Sequence, residues 1–425
     1  MSTLIRQVIS RRIWDSRGRP TVEVDLILEN GVRGRGVAPA GASRGSREAV
    51  DLRDGGTAFG GFGVERALAN VNGPISKRII GLDAMDQQAL DDALIALDGT
   101  SIKSELGGNA TIATSLAALH AAAASAGLPL WRYMAGGQPV RMPLPEIQIF
   151  GGGAHAGRRV DVQDFLIMPV GAASFEEAMV MAAEVYRAAG ELMESMGRRA
   201  GVADEGGWWP DFKSNEEALE MLTRSIEAAG YRHDQVAISL DIAASEFGRG
   251  GRYTLGLEQR IYDTGEWIEV LKGWVARYPI LSMEDPVAED DAEGMRAFTA
   301  AVGDRIQVIG DDFLVTNAAL VREAIAQRSC NAVLLKPNQA GTVSETRAAM
   351  EAARAANWGR VASARSGETE DVAIVHLAIG WDTGQLKVGS FARSERMAKW
   401  NECLRIEGAI GAQAVYAGRK ALPFV

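Results

Sequence analysis

The second half of this 425-residue chain repeats one pattern, a short apolar run that ends in a charged residue and precedes a helix-like stretch. Four such runs follow one another, and they end in Asp241, Glu284, Asp311 and Lys336. In a barrel of parallel strands the carboxyl ends meet at one face, so residues distant in sequence come together there. The pattern therefore predicts three carboxylates and a lysine at the mouth of one barrel.

Two regions of the chain differ in their periodicity. From Pro143 onward strands alternate with helices, which favours a closed (β/α)8-type TIM barrel of ~250 residues or more. Before it, residues 21–28 alternate between polar and apolar, and Asn30-Gly31 follows as a hairpin signal. We therefore predict an α/β protein with an N-terminal α+β capping domain, residues 1–137, and a catalytic barrel, residues 138–425. Helices are predicted over residues 64–79, 83–97, 109–125, 174–196, 215–229, 264–278, 290–302, 317–327 and 342–356.

Composition limits the classes of partner. Lys and Arg number 45 and Asp and Glu 55, so the net charge of −10 argues against nucleic acid or an anionic membrane as a partner. The longest uncharged stretch, residues 109–131, is rich in alanine and is more typical of a buried helix than of a membrane span. The first residues lack a signal-peptide core, and Cys330 and Cys403 form no disulfide pattern, so a cytoplasmic protein is expected.

The three carboxylates indicate a bound cation. They would repel one another in a single pocket unless a hard cation held them together. With only four histidines in the chain, a histidine-rich metal site is not expected, and an all-oxygen set favours Mg²⁺. Any one of these residues could be an ordinary helix cap, but their recurrence at successive strand ends favours a common role.

A cationic set follows, formed by Lys336, Arg365 with its neighbour Ser366, and Lys387. Adjacent cations at a barrel mouth would bind the carboxylate and phosphate of a small acid. They would also lower one another's pKa, and a lysine with a lowered pKa can act as a base near neutral pH. The alternative is a set of separate surface cations.

Two glycine-bounded loops carry further polar groups. Glu205 follows Asp204 and precedes two glycines, and His155 lies within residues 151–157. Taken alone, the first is typical of a solvated turn and the second of a structural histidine.

Long motifs spread over almost the whole chain resemble those of the enolase family. They are Gly41-Ala42-Ser43, Asp204-Glu205-Gly206-Gly207, Glu284-Asp285-Pro286, Gly310-Asp311-Asp312, Lys336-x-Asn338-Gln339 and Arg365-Ser366-Gly367-Glu368. The resemblance implies a hydro-lyase that dehydrates 2-phosphoglycerate to phosphoenolpyruvate. It also implies antiparallel first barrel strands and a homodimer or octamer.

The resemblance assigns the chemistry to particular residues. Asp241, Glu284 and Asp311 would hold Mg²⁺, Lys336 would remove the proton next to the substrate carboxylate, and Glu205 would be the general acid. The remaining roles concern the substrate and the lids. Lys387 would bind the substrate carboxylate, Arg365 and Ser366 would bind the phosphate, and Gln163 would also contact the substrate. Ser43 would close the pocket and help to hold a second Mg²⁺. His155 would close the pocket from the other side.

The chain departs from the family at two positions near these residues. Asp164 stands where the family usually has a glutamate beside the general acid, and its shorter side chain withdraws the carboxylate by ~1 Å or more. Ala364 stands where the family usually has a histidine that contacts phosphate, and its side chain neither donates a hydrogen bond nor carries charge. The anion-binding part of the pocket is therefore expected to differ.

Three arginines are added in loops that resemble the lids, Arg44, Arg158 and Arg159. Arg44 and Arg158 are candidates to enter the pocket and bind the substrate in place of the lost histidine, with the reaction unchanged. Alternatively, the enzyme uses the same proton abstraction on a phosphonate or second-anion substrate, as a carboxyphosphonoenolpyruvate synthase would. The arginines could also be solvated loop residues. A further hypothesis is that the whole chain is a catalytically inactive paralogue with a binding role.

Overall fold

The computed structural model describes residues 2–424. Its N-terminal part contains a three-stranded antiparallel sheet in the order β1 (Ile5–Trp14), β2 (Pro20–Leu28) and β3 (Arg33–Val37). The predicted hairpin turn joins β2 to β3, and Gly31 has a φ of 85°. Strand β1 was not predicted, because its arginine-rich sequence does not alternate cleanly between buried and exposed positions.

Five helices complete the capping domain: α1 (Glu65–Asn70), α2 (Ser76–Ile79), α3 (Gln87–Asp98), α4 (Gly108–Ser125) and α5 (Leu130–Ala135). The helix predicted over residues 64–79 is confirmed as one uninterrupted helical run, in which a π-helical turn that contains Pro74 joins α1 to α2. Proline lacks the N–H of a regular α-helical hydrogen bond, which accounts for the wider turn. The alanine-rich α4 is buried almost throughout, as predicted.

Eleven strands follow in the second part. They are β4 (Leu144–Gly151), β5 (Asp164–Met168), β6 (Ala237–Asp241), β7 (Gly248–Arg249), β8 (Arg252–Leu255), β9 (Arg260–Asp263), β10 (Ile280–Glu284), β11 (Gln307–Gly310), β12 (Ala332–Leu335), β13 (Gly359–Ser363) and β14 (Gly384–Lys387). Strands β4–β6 and β10–β14 close into an eight-stranded barrel, while β7–β9 form a separate small sheet beside it. The barrel with an N-terminal capping domain is therefore confirmed.

Strand β5 runs antiparallel to both of its neighbours, β4 and β6, whereas the other barrel pairs are parallel. The expectation of a fully parallel sheet from strand–helix alternation is wrong here, and the antiparallel start implied by the resemblance is confirmed. No crossover helix separates β4 from β5, so the chain reverses directly. Two helices then separate β5 from β6 and return the chain to the end of the barrel that it left.

Nine helices accompany the barrel: α6 (Phe175–Ser195), α7 (Asn215–Ala228), α8 (Thr264–Arg277), α9 (Ala292–Val302), α10 (Ala318–Gln327), α11 (Pro337–Ala340), α12 (Val343–Ala355), α13 (Ala373–Gly380) and α14 (Ser394–Ile410). Six begin after a residue whose side chain accepts a backbone N–H of the first turn, which explains why their starts were predictable. Helices α13 and α14 lack a clear amphipathic period and were not predicted.

None of the helices within residues 2–424 combines the length and the apolar character that crossing a bilayer requires.

Candidate active site

The predicted charged residues lie at the strand ends, on one face of the barrel. Asp241 and Glu284 are the last residues of the adjacent strands β6 and β10 and are register partners. Asp311 and Lys336 directly follow β11 and β12, and Lys387 ends β14. All five side chains are buried.

Two lysines partly neutralise the three carboxylates. The Lys387 Nζ lies 2.8 Å from Asp241 Oδ2 and 2.7 Å from Glu284 Oε2. The Lys336 ammonium pairs with Asp311. Three carboxylates facing two ammonium groups leave one negative charge in excess.

That excess charge fits a metal ion. The Glu284 Oε1 is buried and has no hydrogen-bond partner among the described residues. Burial and the neighbouring Asp241 carboxylate hold the pKa of Glu284 well above its ordinary value. An oxygen-only donor set that is this poorly compensated suits a hard divalent cation such as Mg²⁺, held by Asp241, Glu284 and Asp311.

A second acidic group supports this one. Carboxylate oxygens of Asp285, Asp311 and Asp312 lie within 4.8 Å of one another, a spacing that could also hold a metal. However, the Asp285 carboxylate already accepts the backbone N–H groups of Asp311, at 2.9 Å, and Asp312, at 2.7 Å. Burial raises the pKa of Asp285 to about 8. Asp285 therefore fixes the loop that carries Asp311.

The opposite wall carries His155, Asp164 and Glu205, all buried. The His155 Nδ1 lies 2.9 Å from Asp164 Oδ1, and its Nε2 lies 3.8 Å from Glu205 Oε1. Although burial lowers it, the Asp164 and Glu205 carboxylates raise the pKa of His155 to about 9. The ring is therefore an imidazolium at neutral pH.

Glu205 reaches the pocket from a tight loop. Gly206 has a φ of 95°, and a Cβ there would overlap the carbonyl oxygen of Ala392, so only glycine fits. No described residue donates a hydrogen bond to the Glu205 carboxylate, and its nearest cations are His155 and Arg396, each at 3.8 Å. Burial opposes ionisation, but the surrounding cations lower the pKa of Glu205 below its ordinary value.

The Asp164 carboxylate bonds to other side chains, although one of its oxygens lies within 4.8 Å of a Glu205 carboxylate oxygen. As the first residue of β5, Asp164 is the register partner of Asp241, and its carboxylate accepts hydrogen bonds from His155 and Gln148. The neighbouring Gln163 donates its Nε2–H to Asp241 Oδ2 at 3.1 Å, which brings it beside the carboxylates predicted to bind a metal.

The anion-binding side is built around Arg365. Its Nη1 donates to Glu48 Oε2 at 2.9 Å and to Asn338 Oδ1 at 3.0 Å. Its Nη2 donates to Glu48 Oε1 at 3.2 Å and to the Ser43 carbonyl oxygen at 3.1 Å. The predicted phosphate ligand therefore also fastens the loop of Ser43.

Glu48 was missed by the sequence analysis. Besides Arg365, it accepts hydrogen bonds from Gly45 N, at 3.0 Å, and Gln339 Nε2, at 3.2 Å. Gln339 in turn donates to Asp311 Oδ1 at 2.8 Å. Glu48 lies five residues after Ser43, and nothing in its local sequence distinguishes it from an exposed loop carboxylate.

The added arginines lie elsewhere. Arg44 is exposed, Arg158 pairs with Glu246 at 2.7 Å, and Arg159 pairs with Asp211 at 2.6 Å. Arg44 and Arg158 are not among the residues that line the pocket, and their binding of substrate stays a prediction. Exposed loop arginines are better satisfied by water and surface carboxylates than by burial.

The pKa of Lys336 also differs from expectation. Burial, Arg365 and Lys387 all lower it, but the carboxylates of Asp311 and Glu284 outweigh them, so the pKa of Lys336 is raised. The expectation of a lysine with a lowered pKa is therefore wrong. Its cationic neighbours are in place, and the opposing effect comes from the carboxylates of Asp311 and Glu284.

Many of the residues described above line one small cavity at the mouth of the barrel. Its lining residues are Ser43, His155, Gln163, Asp164, Glu205, Asp241, Lys336, Ser363, Ala364, Arg365, Ser366 and Lys387. Carboxylates and cations dominate this lining, so the cavity suits a small polyanion bound with a cation.

Comparison with protein families gives two matches that together span nearly the whole chain. The family described as enolase, C-terminal TIM barrel domain, matches residues 139–424. The family described as enolase, N-terminal domain, matches residues 5–134.

Proposed function

Because the chain belongs to the enolase family, we propose that it is a Mg²⁺-dependent hydro-lyase that dehydrates 2-phosphoglycerate to phosphoenolpyruvate. One observation carries the proposal: Lys336 and Glu205 line the same small cavity as Lys387 and Arg365. A base, an acid and two anion-binding cations are thus available to one small substrate. This is the set of groups that removal of a proton and a hydroxyl from a phosphorylated acid requires.

The first half of the reaction depends on Lys336, which would take the proton next to the substrate carboxylate. Mg²⁺ bound by Asp241, Glu284 and Asp311, with a second ion at Ser43, would offset the charge that develops on that carboxylate. Lys336 must lose its own proton first. Arg365 and Lys387 favour that loss, while Asp311 opposes it.

The second half depends on Glu205, which would donate a proton to the departing hydroxyl. For this it must be protonated, yet His155 and Arg396 favour its ionised form. Lys387 would hold the substrate carboxylate, and Arg365 with Ser366 the phosphate. Proton delivery is therefore the more demanding half for this site.

The test is turnover of 2-phosphoglycerate in the presence of Mg²⁺, measured both as phosphoenolpyruvate formation and as exchange of the carbon-2 proton with solvent. We expect both in the parent and neither in Lys336→Ala. Absence of both from the parent at high enzyme concentration would contradict the proposal. Equal rates in Lys336→Ala and the parent would show that Lys336 is not the base.

A second candidate keeps the proton abstraction but uses a phosphonate or a second anion, as a carboxyphosphonoenolpyruvate synthase would. The apolar Ala364 in the cavity wall favours it. It predicts carbon-2 exchange without efficient dehydration of 2-phosphoglycerate. Exchange and dehydration of equal efficiency would argue against it.

We also propose that the chain assembles as a homodimer or octamer, as the family resemblance implies. Sedimentation velocity distinguishes these states from a 45.3 kDa monomer. A single monomeric species at micromolar concentration would contradict this part of the proposal.

A further inference from the structure

The His155 ring is held at both nitrogens between two buried side chains. Its Nδ1 lies 2.9 Å from Asp164 Oδ1, and its Nε2 lies 3.0 Å from Ser366 Oγ. The connectivity is that of the Ser–His–Asp triads of hydrolases. In those enzymes the histidine is neutral and accepts the proton of the serine.

The charges around His155 exclude that role at neutral pH. The carboxylates that face it belong to Asp164, Glu205 and, farther away, Asp241, each of which favours the protonated ring. Lys387 lies 3.7 Å from Asp164, and Arg396 lies 3.8 Å from Glu205, so the cations stand behind the carboxylates. Both ring nitrogens therefore donate, Nδ1 to Asp164 and Nε2 to Ser366.

The Ser366 hydroxyl is consequently oriented. Its oxygen accepts the His155 Nε2–H and also the backbone N–H of Ala42, at 3.3 Å. These two bonds occupy both acceptor positions of the oxygen. The hydroxyl hydrogen is left to donate to an acceptor in the cavity that Ser366 lines.

We propose that Asp164 is a positioning residue for anion binding, which fixes His155 so that Ser366 donates its hydroxyl hydrogen to a phosphate or phosphonate oxygen. The ligand class rests on the proposed function. The imidazolium also supplies a positive charge to the wall that contains Ala364.

Asp164 is itself held in place from its other side. Gln148 donates its side-chain N–H to Asp164 Oδ1, and its Oε1 accepts the Gly207 N–H at 2.8 Å. This bond fixes the orientation of the Gln148 amide. Aspartate therefore suits the position because its carboxylate reaches His155 while staying bonded to Gln148.

The test is a double-mutant cycle on anion affinity. Inorganic phosphate and 2-phosphoglycerate are titrated in the presence of Mg²⁺ into the parent, Asp164→Asn, Ser366→Ala and the double variant, followed by ³¹P NMR and calorimetry. We expect Asp164→Asn to weaken phosphate binding on the order of tenfold in the parent, the effect of one charge-assisted hydrogen bond. In the Ser366→Ala background we expect Asp164→Asn to change phosphate affinity by less than about twofold, because the hydroxyl that His155 orients is already absent.

The matched control is Asp211→Asn, which removes a carboxylate paired only with the loop residue Arg159 and should leave affinity unchanged. An equal loss from Asp164→Asn in both backgrounds would show a merely structural role and overturn the inference, as would no loss or no phosphate binding to the parent. Raising the pH is not expected to restore the phosphate affinity of Asp164→Asn. Coupling without carbon-2 exchange would contradict the proposed function alone, and turnover without coupling would contradict this inference alone.

Discussion

At the scale of single residues, ionisation in this pocket depends on a few close neighbours of opposite sign. Asp311 raises the pKa of Lys336, and His155 with Arg396 lowers that of Glu205. Both shifts oppose the roles proposed for these residues, a neutral base and a protonated acid. Residues that change these neighbours should therefore change the balance between the two half-reactions.

Asp164→Glu combined with Ala364→His should improve dehydration relative to proton exchange. The longer carboxylate would lie nearer to Glu205, and a like charge raises the pKa of its neighbour. We expect the ratio of phosphoenolpyruvate formation to carbon-2 exchange to rise on the order of tenfold, about one unit of pKa. The control is Asp211→Glu. An unchanged ratio would mean that Glu205 protonation does not limit dehydration.

His155 should make stability depend on pH. Its pKa of about 9 in the folded chain exceeds the ordinary value of 6.5. Its contribution is therefore complete below pH 6.5 and is lost as the pH rises toward and through 9, by about 3 kcal/mol in total. Urea titrations should show a smaller loss of stability between pH 6.5 and 9.5 in His155→Gln than in the parent. Identical slopes would contradict the raised pKa.

Glu48→Gln should destabilise the chain strongly. It would leave the buried Arg365 guanidinium without its carboxylate partner, which costs roughly 3–5 kcal/mol. The matched control is Glu246→Gln, which breaks the pair with the 68% exposed Arg158 and should cost no more than about 1 kcal/mol. Urea denaturation measures both. Equal effects would show that Glu48 does not organise the anion-binding side.

At the scale of elements, the direction of β5 determines what the pocket contains. Because β5 runs antiparallel, its first residue, Asp164, lies at the face where the parallel strands end. A parallel strand would have placed that residue at the opposite face. The hydrogen bonds from Asp164 through His155 to Ser366 therefore depend on the direct reversal of the chain between β4 and β5.

The close packing of β3 on α4 requires a glycine, which has no side chain, at position 36. A Cβ at Gly36 would overlap the Ala113 carbonyl oxygen on α4. Gly36→Ala should therefore cost about 1–3 kcal/mol through overpacking. Gly408, in α14, has open space around it, so Gly408→Ala should instead stabilise by about 0.5–1 kcal/mol. Thermal and urea denaturation compare the two, and a tolerated Gly36→Ala would contradict this close approach.

At the scale of the whole molecule, the residues proposed to bind Mg²⁺ link three successive strands of the barrel, β6, β10 and β11. Their charge repulsion acts within the folded chain and is relieved in the unfolded one. Cation binding should therefore stabilise the fold as a whole. This stabilisation cannot be assigned to any single strand or helix.

Mg²⁺ should raise the melting temperature of the chelator-treated protein. A ligand at 100 times its Kd stabilises the folded state by about 2.7 kcal/mol. Glu284→Gln should reduce this Mg²⁺-induced shift, since it removes one proposed ligand, whereas Asp211→Asn should keep it. Differential scanning calorimetry with and without Mg²⁺ measures the shift. An undiminished shift in Glu284→Gln would exclude that residue as a ligand.

The sequence by itself determined the barrel, the capping domain and the residues at the strand ends. Asp241, Glu284, Asp311 and Lys336 follow apolar runs, and strand direction carries such residues to one face. Helix starts were also predictable, because caps and apolar periods are local signals. The tertiary structure decided the rest.

Only the tertiary structure decided which side chains are partners. Asp164 bonds to His155, Glu48 holds Arg365, and Arg158 pairs with Glu246 outside the pocket. These pairings join residues from different elements, and the strength of each depends on burial and on distances of a few ångströms. A sequence specifies the charges, but the fold sets the distances and the dielectric surroundings through which they act.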